Sequence, residues 1–197
     1  MAKKQRITNI NWKQIIASYA IVFVLLACLT ILPNLTNPES LTVTRIVVQL
    51  ATLMMLLSAL ALYIYFADVA SMESTRKTWA MFTTMIVAYC IIQLSQLWEY
   101  AIQLVPFALC ALVLSLIVSG KCGFFANFII IMLCFMQDIN WRTDATINSE
   151  NFFYLLFGGV IEAVFVSFVL GKHYRRARYL AVGLALGVIS VVTATIS

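Results

Sequence analysis

Long apolar segments separated by short polar stretches run through almost the whole chain. A membrane-spanning helix needs about 20 mostly apolar residues, and seven segments approach that length. They are residues 14–33, 43–67, 79–98, 101–119, 122–137, 152–170 and 179–196. The fifth is short, and the boundary between the third and fourth is indistinct because "SQLWEYAIQLVP" contains no glycine. The pattern predicts an all-α, polytopic integral membrane helix bundle with seven transmembrane helices.

The composition supports a membrane protein over a soluble one. The chain is 63% hydrophobic and 11% charged, with a mean hydropathy of +0.97, whereas soluble domains are about half apolar and about a quarter charged. Once the spans are counted, 197 residues leave no room for a separate soluble domain, so a single transmembrane domain over residues 1–197 is expected. The net charge of +5 does not indicate a nucleic-acid partner, because the basic residues lie at the ends of the apolar segments.

The distribution of the basic residues predicts the orientation. If the seven segments alternate, eleven of the thirteen fall on one side and only Arg45 and Arg142 fall on the other. The eleven are Lys3, Lys4, Arg6, Lys13, Arg76, Lys77, Lys121, Lys172, Arg175, Arg176 and Arg178. Because cytoplasmic loops carry an excess of Lys and Arg, the amino terminus is predicted inside and the carboxyl terminus outside.

The last predicted cytoplasmic loop, "KHYRRARY", carries Lys172, Arg175, Arg176 and Arg178. Each basic residue near an anionic membrane surface contributes about 1 kcal/mol, so a role in fixing the helix ends is the simplest interpretation. The alternative is specific binding of a lipid head group or of a partner protein. The expected partners are therefore membrane lipids and another membrane protein, at the bacterial inner (plasma) membrane.

Glu162 is a lone carboxylate within the apolar segment 152–170. A charge at the centre of a membrane helix costs at least about 2.5–3.5 kcal/mol, and such residues usually face the bundle interior or a cavity. Gly158 and Gly159 lie four and three residues before it, on the same face, where another helix is expected to approach closely. Two roles stay open: a protonated, hydrogen-bonded structural residue, or a ligand or proton site.

Other polar residues within the spans are candidates for the same site. Gln93 and Gln96, three residues apart near the outer end of the third segment, are positioned to line one cavity, and Asn127 is a possible partner for Glu162. In the last segment, Gly183 and Gly187 form a GxxxG pattern that favours helix packing.

No catalytic, metal-binding or cofactor-binding pattern is evident in the sequence. The only histidine, His173, lies in the basic loop, which argues against a histidine-based metal site or catalytic triad. The five cysteines form no CxxC pair, so they are interpreted as small packing residues. An enzyme is therefore not expected.

Two blocks resemble bacterial seven-transmembrane HD-domain proteins: "VPFALCALVLSLIVSGKCGFFANFIIIMLCFM" and "FFYLLFGGVIEAVFVSFVLGKHYRRARYLAVGLALGVISVV". Members of that family couple an extracytoplasmic ligand-binding domain, through a membrane bundle, to a cytoplasmic phosphodiesterase that acts on cyclic di-AMP. The chain has neither of those two domains and no His-Asp pair. The resemblance therefore implies a non-enzymatic sensor, or an assembly or scaffold subunit of a membrane complex, and no catalytic residue.

The block around "SGKCG" also resembles the substrate-binding subunits of energy-coupling-factor vitamin transporters. In that group an A-x-x-x-A signature lies in the first helix, but here Ala17 and Ala20 are three residues apart. Rod-shape-determining membrane proteins are a fainter resemblance. The alternative function is accordingly a small-molecule, vitamin-like substrate-binding subunit of a membrane transporter.

Overall fold

The computed structural model describes residues 12–32, 42–68, 74–96, 108–141 and 158–170, together with residues 182, 183, 185 and 188. Over these residues the protein is all-helical and contains no strand. Six helices follow one another: α1 (Trp12–Ile31), α2 (Val43–Ala67), α3 (Thr75–Gln96), α4 (Leu109–Ile117), α5 (Gly120–Trp141) and α6 (Gly159–Leu170).

The helix bounds agree with the sequence prediction at α1 and α2 and differ at α3 and α5. The third helix begins at Thr75 rather than residue 79. Its first turn is polar but already helical, so it precedes the apolar run from which the segment was predicted. The fifth, predicted as the short segment 122–137, is a 22-residue helix from Gly120 to Trp141. Apolarity alone underestimated its length, since both of its ends carry polar residues. Residues 101–107, 152–157 and most of 179–196 lie outside the described part.

Four of these helices are long and apolar enough to cross a membrane: α1, α2, α3 and α5. In α2 the buried residues recur every three or four positions, as Gln49, Leu53, Leu56, Leu57, Leu60 and Ile64. Large apolar side chains on its other faces are exposed; Met54 and Phe66, for example, are 61% and 76% exposed. Exposed apolar surface of this extent is unfavourable in water but suits a lipid environment.

At one end of the bundle, polar contacts join the start of α1 to the start of α3, and the start of α5 to the end of α2. Thr75 Oγ1 donates a hydrogen bond to Gln14 Oε1 at 3.1 Å, which links the first turns of α3 and α1. Ser119, immediately before α5, donates from its hydroxyl to the carboxylate of Asp68, immediately after α2. We call this the Gln14 end.

The opposite end of the bundle holds the start of α2 and the last turns of α3 and α5. Asn140 of α5 donates to the carbonyl oxygen of Arg45 on α2 at 2.9 Å, and Gln137 of α5 contacts Gln93 of α3. We call this the Asn140 end. Helices α1, α3 and α5 therefore run in one direction and α2 runs in the other.

Helix α5 lies at the centre of the bundle and packs against α2, α3, α4 and α6, while α1 packs against α2 and α3. Of the candidate membrane spans, that in α5 is the most buried, at 56% of its residues against 28–39% for the other three. Ring contacts mark two of the interfaces. Tyr63 of α2 stacks on Phe125 of α5, and Tyr19 of α1 meets Phe82 of α3 edge-on. Polar side chains on α5 are thus placed among several neighbours.

Candidate functional site

At the Asn140 end, three polar side chains form a hydrogen-bonded group between α3 and α5. Gln137 Oε1 accepts from the hydroxyl of Tyr89 and from Gln93 Nε2 at 3.0 Å. In return, Gln137 Nε2 donates to Gln93 Oε1 at 3.3 Å. Tyr89 is fully buried and Gln137 is 8% exposed. Because unpaired polar groups are costly in a lipid environment, this reciprocal amide pair holds the ends of α3 and α5 together.

Helix α5 is also joined to α2, by Asn140, one turn beyond Gln137. Asn140 Nδ2 donates to the carbonyl oxygen of Arg45 at 2.9 Å and to Gln49 Oε1 at 3.3 Å. Two buried donors on α2 are left without a hydrogen-bond partner, Arg45 Nη1 and Gln49 Nε2. Since most buried polar groups in proteins are paired, these two nitrogens make the Asn140 end the strongest candidate binding site in the described bundle.

At the Gln14 end, Ser119 connects two helices. Its hydroxyl oxygen accepts from the backbone N–H of Cys122 at 3.1 Å, which is the position of an N-cap for α5. The same hydroxyl donates to Asp68, so the start of α5 is tied to the end of α2. Asp68, which the sequence alone leaves without a partner, therefore has a structural contact.

A third polar region lies where α4 packs against α5. Asn127 Oδ1 accepts from the backbone N–H of Ala111 at 3.3 Å, while Asn127 Nδ2 and Ser115 Oγ are buried without a partner. Close approach of the two helices occurs at Gly123, where a Cβ atom would lie 2.7 Å from the carbonyl oxygen of Ala111. This junction is tightly packed, with Asn127 only 1% exposed.

Glu162 is buried in α6, at 4% exposure. Its neighbour Ala163 belongs to a small apolar cluster that includes Ala108 and Ala111 of α4, with Phe124 of α5 packed against it. The burial predicted for Glu162 is therefore confirmed, and its helix packs against α4 and α5. A ligand or proton role for this carboxylate stays a prediction.

The structure separates the site residues that the sequence grouped together. Gln93 contacts Gln137 of α5, whereas Asn127 lies ten residues earlier on α5 and contacts α4. Gln137 and Asn127 are therefore roughly 15 Å apart along the helix axis. The side chain of Gln96, the whole of Gly187 and the basic loop with Lys172, Arg175, Arg176 and Arg178 lie outside the described residues. Gln93 and Gln96 as joint cavity residues therefore stay a prediction.

The glycine at a close helix contact, Gly123, does not belong to the small-residue patterns that the sequence shows in its last two segments. No described atom lies within 4 Å of a Cβ built at Gly158 or Gly183, in contrast to Gly123. The packing role proposed for Gly158, Gly159 and Gly183 stays a prediction. Gly123 belongs to "SGKCG", where the small residues read as a loop and not as a helix start.

Within the described residues, no group of three or more His, Cys, Asp or Glu side chains is placed to hold a metal ion. The cysteines of these helices are free thiols, of which Cys110, Cys122 and Cys134 are buried. Cys122 Sγ lies 3.3 Å from Met81 Sδ, in the packed interface between α5 and α3.

Comparisons with protein-family models, with curated proteins and with solved structures find no match to this chain. The class is accordingly defined by the fold itself: an α-helical protein whose described part contains four helices long and apolar enough to cross a membrane. Its most developed polar feature is the Asn140 end.

The role of Glu162 is testable by substitution. Glu162→Gln should fold normally, since glutamine supplies both a donor and an acceptor of similar shape. Glu162→Leu should lower the free energy of unfolding by about 1–2 kcal/mol through the polar group left unsatisfied. Denaturant unfolding in mild detergent measures both, with Val164→Leu on the exposed face of the same helix as control. Equal stability of the Glu162→Leu variant and the unmodified protein would contradict a structural role.

Proposed function

We propose that the protein is a non-enzymatic, multi-pass membrane sensor, or an assembly or scaffold subunit, of a bacterial inner-membrane complex. The observation that carries the proposal is the Asn140 end, where side chains on α2, α3 and α5 converge and two buried donors are left available to a ligand or partner. The described polar contacts at both ends of the bundle join helices to one another, an arrangement suited to passing a change at one end to the other.

The proposed topology has seven spans, with the amino terminus in the cytoplasm. Support comes from the described helix ends: Lys13, Arg76, Lys77 and Lys121 belong to the Gln14 end, and Arg45 belongs to the Asn140 end. An excess of Lys and Arg is typical of the cytoplasmic side. Labelling of single cysteines placed at residues 45 and 76 from either side of the membrane tests this orientation.

The second candidate function is a substrate-binding subunit of a membrane transporter. It is favoured by the same two unpartnered donors, because a site for a small molecule is usually concave, largely apolar and equipped with a few convergent polar groups. The resemblance to seven-transmembrane HD-domain proteins favours the sensor or assembly role. The resemblance to vitamin-transporter subunits favours the transport role.

Purification in a mild detergent, followed by mass spectrometry of retained proteins and small molecules, distinguishes the two. A membrane protein that co-purifies in a fixed ratio supports the sensor or assembly role. A stoichiometric small organic molecule with transporter components supports the transport role. Recovery of the chain with catalytic turnover of a retained small molecule would contradict both.

A further inference from the structure

We infer that Arg45 and Gln49 form a binding site for an oxyanion, meaning a carboxylate or phosphate group, at the Asn140 end between α2 and α5. Five buried side-chain atoms of the described residues have no hydrogen-bond partner, and two of them are Arg45 Nη1 and Gln49 Nε2. The two residues are four apart on one helix, so their side chains share a face. The remaining three atoms lie on α1, α4 and α5.

The orientation of the Gln49 amide follows from its neighbours. The carbonyl oxygen of Arg45 can only accept, so Asn140 must turn its Nδ2 toward it, at 2.9 Å. Because the same Nδ2 also faces Gln49 at 3.3 Å, Gln49 must present its oxygen to Asn140. The Nε2 group of Gln49 is thereby directed away from Asn140, and the residue is only 1% exposed.

The two free groups are donors only. A guanidinium has no acceptor, and the amide nitrogen of glutamine has none either. A ligand that satisfies both must therefore supply acceptor oxygens, and an oxyanion pairs best because hydrogen bonds to a charged guanidinium are stronger with a charged acceptor. The position near the start of α2 adds the partial positive charge of the helix amino terminus.

The two carboxylates whose side chains the structure describes, Asp68 and Glu162, do not fill this role. Asp68 follows the last residue of α2, 23 residues from Arg45 and therefore roughly 34 Å along the helix axis. Glu162 lies on α6, which packs against α4 and α5. Arg45 as a whole is partly exposed although its Nη1 is buried, so the site lies at the edge of the bundle.

This inference deepens the proposed sensing function by naming the chemistry of the ligand. The binding site itself does not depend on that function, but the use of binding as a signal rests on it. The oxyanion can come from two sources: the phosphate of an anionic lipid, or a small anion in solution. Binding to the purified protein can be measured whether or not a partner protein co-purifies, so the two proposals fail separately.

The test uses the full chain in an uncharged detergent, with the thermal unfolding midpoint as readout. Acetate and inorganic phosphate are titrated at constant ionic strength against chloride, and phosphatidylglycerol is titrated against phosphatidylcholine. We expect a saturable rise in midpoint with at least one oxyanion, since a ligand that binds only the folded state stabilises it. A response to phosphatidylglycerol alone assigns the lipid head group; a response to acetate or phosphate assigns a soluble anion.

Variants at the two residues decide whether the response belongs to this site. Arg45→Gln should weaken the apparent affinity at least about tenfold, because the charge-assisted bond is lost. Arg76→Gln, an exposed arginine at the Gln14 end, should leave the affinity unchanged. If Arg45→Gln does not fold, Arg45→Lys replaces it and should still weaken binding, since lysine lacks the planar fork.

Gln49→Glu gives an independent check. We expect one oxygen of the new carboxylate to accept from Asn140 and the other to pair with Arg45, which lies one helical turn away on the same face. The variant should therefore have a higher unfolding midpoint without ligand and should no longer respond to the oxyanion. Absence of a saturable response to all the anions in the unmodified protein, or an undiminished response in both the Arg45 and Gln49 variants, would overturn the inference.

Discussion

Gly123→Ala should lower the free energy of unfolding by about 1–3 kcal/mol, the usual range for an overpacked interior. The new Cβ atom would lie 2.7 Å from the carbonyl oxygen of Ala111 and 3.0 Å from the backbone nitrogen of Ser115. Both are backbone atoms of α4, so they cannot turn aside as a side chain would. Alanine is favoured over glycine in helices by about 1 kcal/mol, and the clash outweighs that gain. Denaturant unfolding in mild detergent measures the change.

Two other glycines are matched controls for this prediction. No described atom lies within 4 Å of a Cβ built at Gly158 or Gly183. Gly158→Ala and Gly183→Ala should therefore leave the stability unchanged, or raise it by up to about 1 kcal/mol through helix propensity. Gly123→Val, with a branched side chain, should be more destabilising than Gly123→Ala. A folded Gly123→Ala variant as stable as the unmodified protein would contradict the close packing of α4 on α5.

The sequence predicts the long helices well because one physical requirement dominates them. A lipid-facing helix must be apolar over a fixed length, and the segment 43–67 coincides with α2, Val43–Ala67. Prediction is weaker at the polar ends of α3 and α5, since Thr75 and Trp141 continue the helix beyond the apolar run. Hydropathy shows where the apolar run ends, but it does not show where the helix itself ends.

The candidate site was harder to predict, because it depends on which helices become neighbours. The sequence places Gln93 and Gln96 together on one helix, whereas the partner of Gln93 in the structure is Gln137, 44 residues away. In the sequence, Gln137 is only the last residue of the predicted fifth segment, 122–137. Its pairing with α3 follows from the central position of α5, which local periodicity does not reveal.

Arg45 did give a signal in the sequence. In the predicted seven-span topology it is one of two basic residues on the side opposite to the other eleven, and Gln49 follows it by one helical turn. Its Nη1 is buried without a hydrogen-bond partner, which is consistent with a role for this arginine besides topology.

Gln137→Leu should lower the free energy of unfolding by about 2–3 kcal/mol. The substitution leaves the buried Tyr89 hydroxyl and the half-buried Gln93 amide without the partner that Gln137 supplies. Interhelical hydrogen bonds in membranes average only about 0.6 kcal/mol, because separated helices find other partners. We expect a larger loss here, because leaving the buried Tyr89 hydroxyl unpaired costs about 1–3 kcal/mol and the half-buried Gln93 amide adds a smaller amount. Met136→Leu, at a 36% exposed neighbouring position, should be nearly neutral.

A double-mutant cycle with Tyr89→Phe tests whether the three side chains act as one unit. Tyr89→Phe alone should cost about 0.5–1.5 kcal/mol, since Gln137 Oε1 still accepts from Gln93. In the double variant the phenylalanine removes the hydroxyl that Gln137→Leu would leave unpaired. The double variant should therefore lose less stability than the sum of the single changes, with a coupling of about 0.5–3 kcal/mol. Additive losses would show that the tyrosine and the glutamine stabilise the bundle independently, contrary to the hydrogen-bonded group between α3 and α5.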